Sequence, residues 1–405
     1  MSLLPVAEAV ARVLAGVAPL GPETVPIAEA AGRVLAAALA ATRTQPPFDA
    51  SAMDGYALRG AEATEGATFR VIGMAAAGHA FPGAVGPGEA VRIFTGAPVP
   101  PGADTILIQE DAERDGDTIR VTEAATPGRH IRRRGLDFTA GDVLLPAGAR
   151  LGMRQLSLAA AMGHGTLPVR ARPRVALIAT GDELVPPGTV PGPDQIVSSN
   201  ATGLAALIAA EGGIALDLGI VRDDLADLTA AVRRAIALPA DVIVTLGGAS
   251  VGDHDLAMDA LSAAGMRLDF WRIAMRPGKP LMFGTVPGAD GRTVRVLGLP
   301  GNPVSTLVGG LLFLAPLVAA HLGAAPRDMT EPALLGVDVA ANDRREDYVR
   351  ATLAPMPDAL PVVTPLAPQD SSMLSTLAAA DCLLIRPPHA PASPAGTPCR
   401  ILRLP

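Results

Sequence analysis

The chain has 405 residues, too many for one hydrophobic core, so about two to four domains are expected. Hydrophobic residues make up 49% and aromatics only 3%, which implies globular domains with cores of Ala, Val, Leu and Ile. A net charge of −7 and a pI near 5.4 exclude a non-specific nucleic-acid binder, while leaving room for a local basic pocket that opposes the global sign.

The N-terminal MSLLPVAEAVARVLAG lacks a basic leader region and carries Glu8, so it reads as an amphipathic helix and not a signal peptide. Ala, Leu and Val at helical spacing predict helix over 1–42. Gln45-Pro46-Pro47 breaks that pattern. Short β-like runs then alternate with Gly/Pro turns (Phe69–Met74, Ala90–Phe94, Thr105–Gln109 and Thr118–Val121), which predicts a small β-rich domain over 43–137. An Ala/Leu-rich helical texture returns over 138–170.

From 171 the pattern is strand, loop, helix. Strands are expected at Arg174–Thr180, Ile214–Val221, Asp241–Leu246 and Val294–Leu299. Helices are expected from Asn200 as cap to Glu211, over Asp224–Ala237, and over Pro303–Leu322. That alternation argues a parallel, doubly wound sheet over 171–325, with ligands beyond the carboxyl ends of its strands. Val304–Leu322 is apolar enough to suggest a membrane span, but Thr306, Pro316, His321 and a Gly-Gly pair favour a buried core helix. Prolines and short β-like runs predict a final β domain over 326–405. Cys382 and Cys399 are far from any CxxC spacing, which suits a reduced cytoplasmic protein.

Three loops follow predicted strands. Thr180-Gly181-Asp182-Glu183 offers carboxylates for Mg²⁺ held with a phosphate, although a polar turn capping a helix would look the same. Gly247–Asp255 combines glycines and Ser250 with Asp253 and Asp255, suiting phosphate and a bridging cation. It is not a Walker loop, because GK[ST] is absent. Gly298–Ser305 places Asn302 as helix cap and Pro303 at the first helical position, so the N–H groups there would favour an anion. One lysine, Lys279, stands among 33 basic side chains, the rest being arginine. It sits in Met275-Arg276-Pro277-Gly278-Lys279-Pro280, and as a compact point charge it differs from an arginine fork. The six histidines form no HExxH or HxH, no Cys/His cluster suggests zinc, and no GxSxG suggests a hydrolase elbow.

Taken in order, SAMDGYAL, FTGAPVPPGAD, RRRGLDF, TGDEL, GGASVGDHD, MRPGKP and GLPGNPVS resemble the molybdopterin molybdenumtransferases, the family that includes the gephyrin E domain. The later segments Arg344–Arg350 and Gln369–Leu374 resemble it more loosely, with Asp370 where glycine is expected. The resemblance implies a homodimer of elongated chains, each with four domains. These are a segmented helical linker (1–42 and 138–170), an inserted β-rich domain (43–137), a molybdopterin-binding α/β domain (171–325) and a C-terminal β-barrel (326–405). It implies insertion of molybdenum from molybdate into adenylylated molybdopterin, with Mg²⁺-dependent hydrolysis of the adenylate and release of AMP. A non-catalytic scaffold or cofactor carrier of the gephyrin type is the alternative reading. Carried over by position, Asp54, Thr95, Asp137, Glu183, Asp224, Asp255 and Lys279 are catalytic candidates, with Asp223 an equal rival to Asp224. Glu183, Asp253 and Asp255 are the metal candidates. Substrate-binding candidates are Gly248, Ser250, Asp253, Arg276, Pro300, Gly301, Asn302, Ser305, Arg345, Arg350, and Ser371 or Ser372. Asp54, Thr95 and Asp137 lie outside the α/β domain, so a second subunit would complete a composite site. An adenylyltransferase upstream and a molybdoenzyme or chaperone downstream are the implied hand-over partners, with no nucleic acid and no membrane.

Overall fold

The computed structural model describes residues 3–247, 256–289 and 291–405. The chain divides into two units, one of Thr24–Val169 and one of Met1–Glu23 with Arg170–Pro405.

The unit Thr24–Val169 contains a six-stranded sheet in the order Thr105–Ile108, Gly55–Leu58, Glu89–Ile93, Thr68–Ala75, Thr118–Val121, Ala112–Asp115. Its strands alternate inward residues such as Leu58, Phe69, Leu107 and Ile119, which form one core. A second core joins Leu35, Leu39 and Ala41 to Phe138, Leu145, Leu151 and Met162. The helix expected over 138–170 is confined to Met153–Ala161. Gly141 and Gly148 hold φ of +97° and +81°, which a continuing helix cannot accommodate.

Residues 1–42 are likewise not one helix: among the described residues before Gly16, which turns the chain at φ +67°, only Val6–Leu14 is helical. The Ala-rich Leu39–Ala40 is extended and pairs with Val143–Leu145, so pairing overrides the helix propensity of alanine.

In the other unit, Ile214–Val221, Arg174–Thr180, Val242–Leu246 and Thr293–Leu299 are adjacent and parallel. Met282–Pro287 and Arg267–Trp271 extend the sheet antiparallel at its edge. The chain leaves Arg174–Thr180 first to one side and then to the other. The topological switch point therefore lies between that strand and Val242–Leu246, where an open sheet has its crevice. The segment Pro303–His321 is long and apolar enough to cross a membrane, and 61% of it is buried within the fold. A π turn at Gly310–Leu314 interrupts it. Downstream, Glu346–Ala354, Val362–Pro365, Thr330–Leu335, Pro398–Arg403 and Cys382–Arg386 close into a five-stranded barrel. Its interior is filled by Leu335, Val363, Leu384 and Ile401, among others.

Beneath the sheet, Arg295 donates to the carbonyls of Val13 and Ala15 at 2.9 and 2.6 Å, tying the N-terminal helix down. His321 is buried there with both ring nitrogens unpartnered. Burial pulls its pKa down from 6.5 to about 4, with Arg295 and Arg292 reinforcing the shift and Asp241 opposing it. The folded imidazole is therefore neutral, and the unfolded chain takes up a proton first as pH falls. Stability is lost from about pH 6.5 down to about pH 4, by about 3 kcal/mol in all. His321→Leu is expected to remove that part of the pH dependence. Urea unfolding at pH 7 and 4.5 checks it, and an equal pH dependence in both proteins would contradict the assignment.

Candidate active site

The carboxyl ends of Arg174–Thr180, Val242–Leu246 and Thr293–Leu299 open onto a cleft of about 650 Å³. Thr180, Glu183, Asn200, Asp223, Gly247, Pro280, Pro300, Gly301, Asn302 and Ser372 line it. Glu183 reaches the rim because Gly181 has no side chain. A Cβ there would lie 2.4 Å from Glu183 Oε2, and its φ of +148° disfavours any other residue. Beside it the Thr180 hydroxyl donates to Asp223, whose own N–H donates to Asp182 Oδ1 at 3.3 Å.

This geometry separates the two adjacent aspartates. Asp223 lines the cleft, whereas Asp224 caps the helix Leu225–Ala237, accepting from the N–H groups of Ala226 and Asp227 at 2.8 and 3.0 Å. Gly248, Ser250, Asp253 and Asp255 lie outside the described residues.

The Pro300–Asn302 loop is held from three sides. Asn200 is not a cap; its Nδ2 donates to Gly301 O at 2.7 Å. Thr306 Oγ1 donates to Pro300 O. Asn302 also forms no side-chain cap, and instead donates to Ser371 Oγ at 2.9 Å. The Val304 N–H is spent on Ser371 O at 3.0 Å, so the helix start offers less to an anion than its sequence suggested. Ser305 is buried in that first turn. Ser371 thus closes the helix start while Ser372 lines the cleft, its hydroxyl donating to Asp370 at 2.6 Å. Asp370 organises this turn, which a glycine there could not do.

Lys279 and Pro280 are consecutive but line different cavities. Pro280 lines the cleft, and Lys279 a neighbouring cavity of about 910 Å³ with Trp271, Arg272, Asp269 and Arg344. Asp269 is already paired with Arg12 at 3.1 Å. Lys279 forms no ion pair among the described residues, and Arg272 sits over the Trp271 ring at 5.4 Å. Three cations against one occupied carboxylate make this cavity basic in a chain of net charge −7.

The arginine candidates are differently employed. Arg276 is bonded to Asp347 and Asn342. Arg345 pairs with Asp343 at 2.7 Å, which with a backbone N–H holds that carboxyl at about 2. Arg350 is 2% exposed and donates to Gln369 Oε1 and Met373 O, inside the barrel domain. None of these three lines the cleft.

In the unit Thr24–Val169, Asp54 accepts from the Thr95 N–H and hydroxyl, both at 2.8 Å, which lowers its pKa. Asp137 is exposed on a loop fixed by its own N–H to Gln45 O at 3.1 Å. Sequence reasoning missed Thr180 and the clamping role of Asn200. The only available signal for either was position at a strand end or helix start.

Comparison with known proteins agrees along the whole chain. Residues 4–163 match the MoeA N-terminal region (domain I and II), 176–320 the probable molybdopterin binding domain, and 332–404 the MoeA C-terminal region (domain IV). A Mycobacterium tuberculosis protein named molybdopterin molybdenumtransferase 2 is 37% identical over 368 residues, covering 88% of each chain. A Nostoc molybdopterin molybdenumtransferase is 35% identical over 317 residues, 76% of this chain and 72% of the relative. The crystal structure of a molybdopterin biosynthesis MoeA protein from Pyrococcus horikoshii superposes with a TM-score of 0.83 at 30% identity, covering 99% of both chains. With its three regions matched in order and relatives of this identity spanning most of its length, the chain belongs to the molybdopterin molybdenumtransferase family of molybdenum-cofactor biosynthesis.

Proposed function

We propose that this chain inserts molybdenum from molybdate into adenylylated molybdopterin, hydrolysing the adenylate in a Mg²⁺-dependent step and releasing AMP. The observation that carries this reading is the meeting of an acid-rimmed cleft and a basic cavity at one turn, Lys279–Pro280. Such an arrangement suits a substrate with a cation-bound pyrophosphate beside a free tetrahedral oxyanion. The pterin brings its own sulfur ligands, so no Cys/His cluster is needed to receive the metal.

Glu183, set over the bare backbone of Gly181, fits as a hard oxygen ligand to Mg²⁺. Among the described residues no three His, Cys, Asp or Glu side chains converge as a metal cage. The cation would complete its shell with water and substrate phosphate, with Asp253 and Asp255, outside the described residues, as the further ligands proposed from sequence. The chemistry a bound Mg²⁺ supplies there is neutralisation of phosphate charge. The chain does the rest. Thr180 orients Asp223, the clamped Pro300–Asn302 loop and Gly247 shape the floor, and Lys279 holds the oxyanion as a point charge. AMP release from adenylylated molybdopterin, measured with and without molybdate, tests the assignment.

We infer that Asp54, Thr95 and Asp137 from a second copy of the chain would complete the same active site. The Asp54 carboxylate, fixed by two hydrogen bonds from Thr95, stays ionised well into the acid range and suits a positioned acceptor. Mixing Asp54→Asn and Glu183→Ala proteins after exchange of subunits, at a limiting Mg²⁺ concentration where neither turns over alone, is expected to restore about a quarter of wild-type turnover, because heterodimers carry one intact site. No recovery in a mixture that sedimentation shows to be exchanged would contradict the composite site.

A further inference from the structure

We propose that Asp347 is a positioning residue for the oxyanion site, acting through Arg276 to set the turn that carries Lys279; this rests on the activity proposed above. Met275–Arg276 leaves the α/β domain to pair in parallel with Glu346–Asp347 of the barrel domain. The Glu346 N–H donates to Ala274 O at 2.8 Å on the same seam. Asp347 receives the Arg276 guanidinium on Oδ2, and its Oδ1 is buried with no partner. The Asp347 side chain is 6% exposed and that of Arg276 51%, so the acid is the fixed half of the pair. Asn342 and Asp343 flank the guanidinium at 3.4 and 3.8 Å.

Three residues further on, the turn closes back on itself, the Ile273 N–H donating to Lys279 O at 3.0 Å. Gly278 bridges the gap at φ +100°, where a Cβ would sit 3.3 Å from Met275 Cε. Backbone from 273 to 279 is therefore one closed loop whose side-chain tie among the described residues is Arg276, and Asp347 is the buried one of the three acceptors that hold it. Arg276, held by three acceptors and lining neither cavity, is a strut and not a ligand of the oxyanion. An error of an ångström in a positioned group is felt strongly in binding and turnover, so loss of the anchor must show in what Lys279 does.

The test is equilibrium dialysis of the full-length protein against molybdate, with bound molybdenum measured by mass spectrometry, for wild type, Asp347→Ala, Lys279→Ala and the double variant. Asp347→Ala is expected to weaken molybdate binding about tenfold in the wild-type background and to add nothing in the Lys279→Ala background. Asp347→Asn, which keeps an acceptor for Arg276, is expected to show a smaller loss of about threefold, and it serves if the alanine protein does not fold. Unchanged or tighter binding in Asp347→Ala, or a full effect without Lys279, overturns the positioning role and returns Arg276 to the ligands. No molybdate binding by the wild-type protein overturns the activity reading itself, and this inference with it.

Discussion

Lys279→Ala is expected to lower molybdate-dependent turnover by about 10²–10³-fold while leaving the fold intact. Lys279 is half-buried and is the only cation on its turn without an acid partner among the described residues, so its charge is available to a ligand. Arg272 and Arg344 share the cavity and supply general positive potential, but arginine is broader and more weakly hydrated than an ammonium. Lys279→Arg is therefore expected to recover only part of the loss. Removing Lys279 leaves no buried carboxylate unpaired, so the melting temperature is expected to move by no more than a few degrees. Wild-type turnover in Lys279→Ala, at limiting molybdate, would sink the assignment.

Glu183→Ala is expected to raise the Mg²⁺ concentration needed for half-maximal AMP release by about 10–100-fold and to lower the maximal rate. Glu183 is exposed at the rim of the cleft, its carboxylate lies against the cradle of Gly181, and no ion pair among the described residues engages it. Its loss therefore acts on the cation and not on the core. Asp223 behaves differently, because it is bonded to Thr180, which is 5% exposed. Asp223→Ala is expected to cost stability as well as rate, since it leaves the Thr180 hydroxyl without its acceptor. A Glu183→Ala protein with an unchanged Mg²⁺ titration would contradict the metal role.

The elements most legible in the sequence were those whose period is enforced by burial. Arg174–Thr180 has the bounds its apolar run suggests, because an inner strand covered on both faces must be apolar, while Ile214–Val221 keeps its expected bounds as a partly exposed edge strand. The stretch Leu35–Ala41 was misread because alanine carries helix propensity but no information about pairing partners about a hundred residues away. Glycines at φ near +67° to +97° ended helices that their neighbours alone would have continued. The loops at the strand ends were legible by position, and the lone lysine by its rarity. What each side chain does there was not. Asn200 and Asn302 have the chemistry of caps, yet both spend their amides on other loops. Asp223 and Asp224 are neighbours in sequence, and only the start of the helix decides which one caps it. Arg276 and Arg350 look like anion ligands until their acceptors, supplied by residues 342–373, are in view. The basic cavity itself is assembled from Arg272, Lys279 and Arg344, whose spacing carries no motif.

The central claim is tested most directly by incubating the protein with adenylylated molybdopterin, Mg²⁺ and molybdate, then following both AMP and the ability of the product to activate an apo-molybdoenzyme. The account predicts AMP release that rises with molybdate, in step with active cofactor. Tight retention of the adenylylated pterin with no AMP and no active cofactor would contradict it, leaving a carrier whose acidic cleft and Lys279 have another purpose.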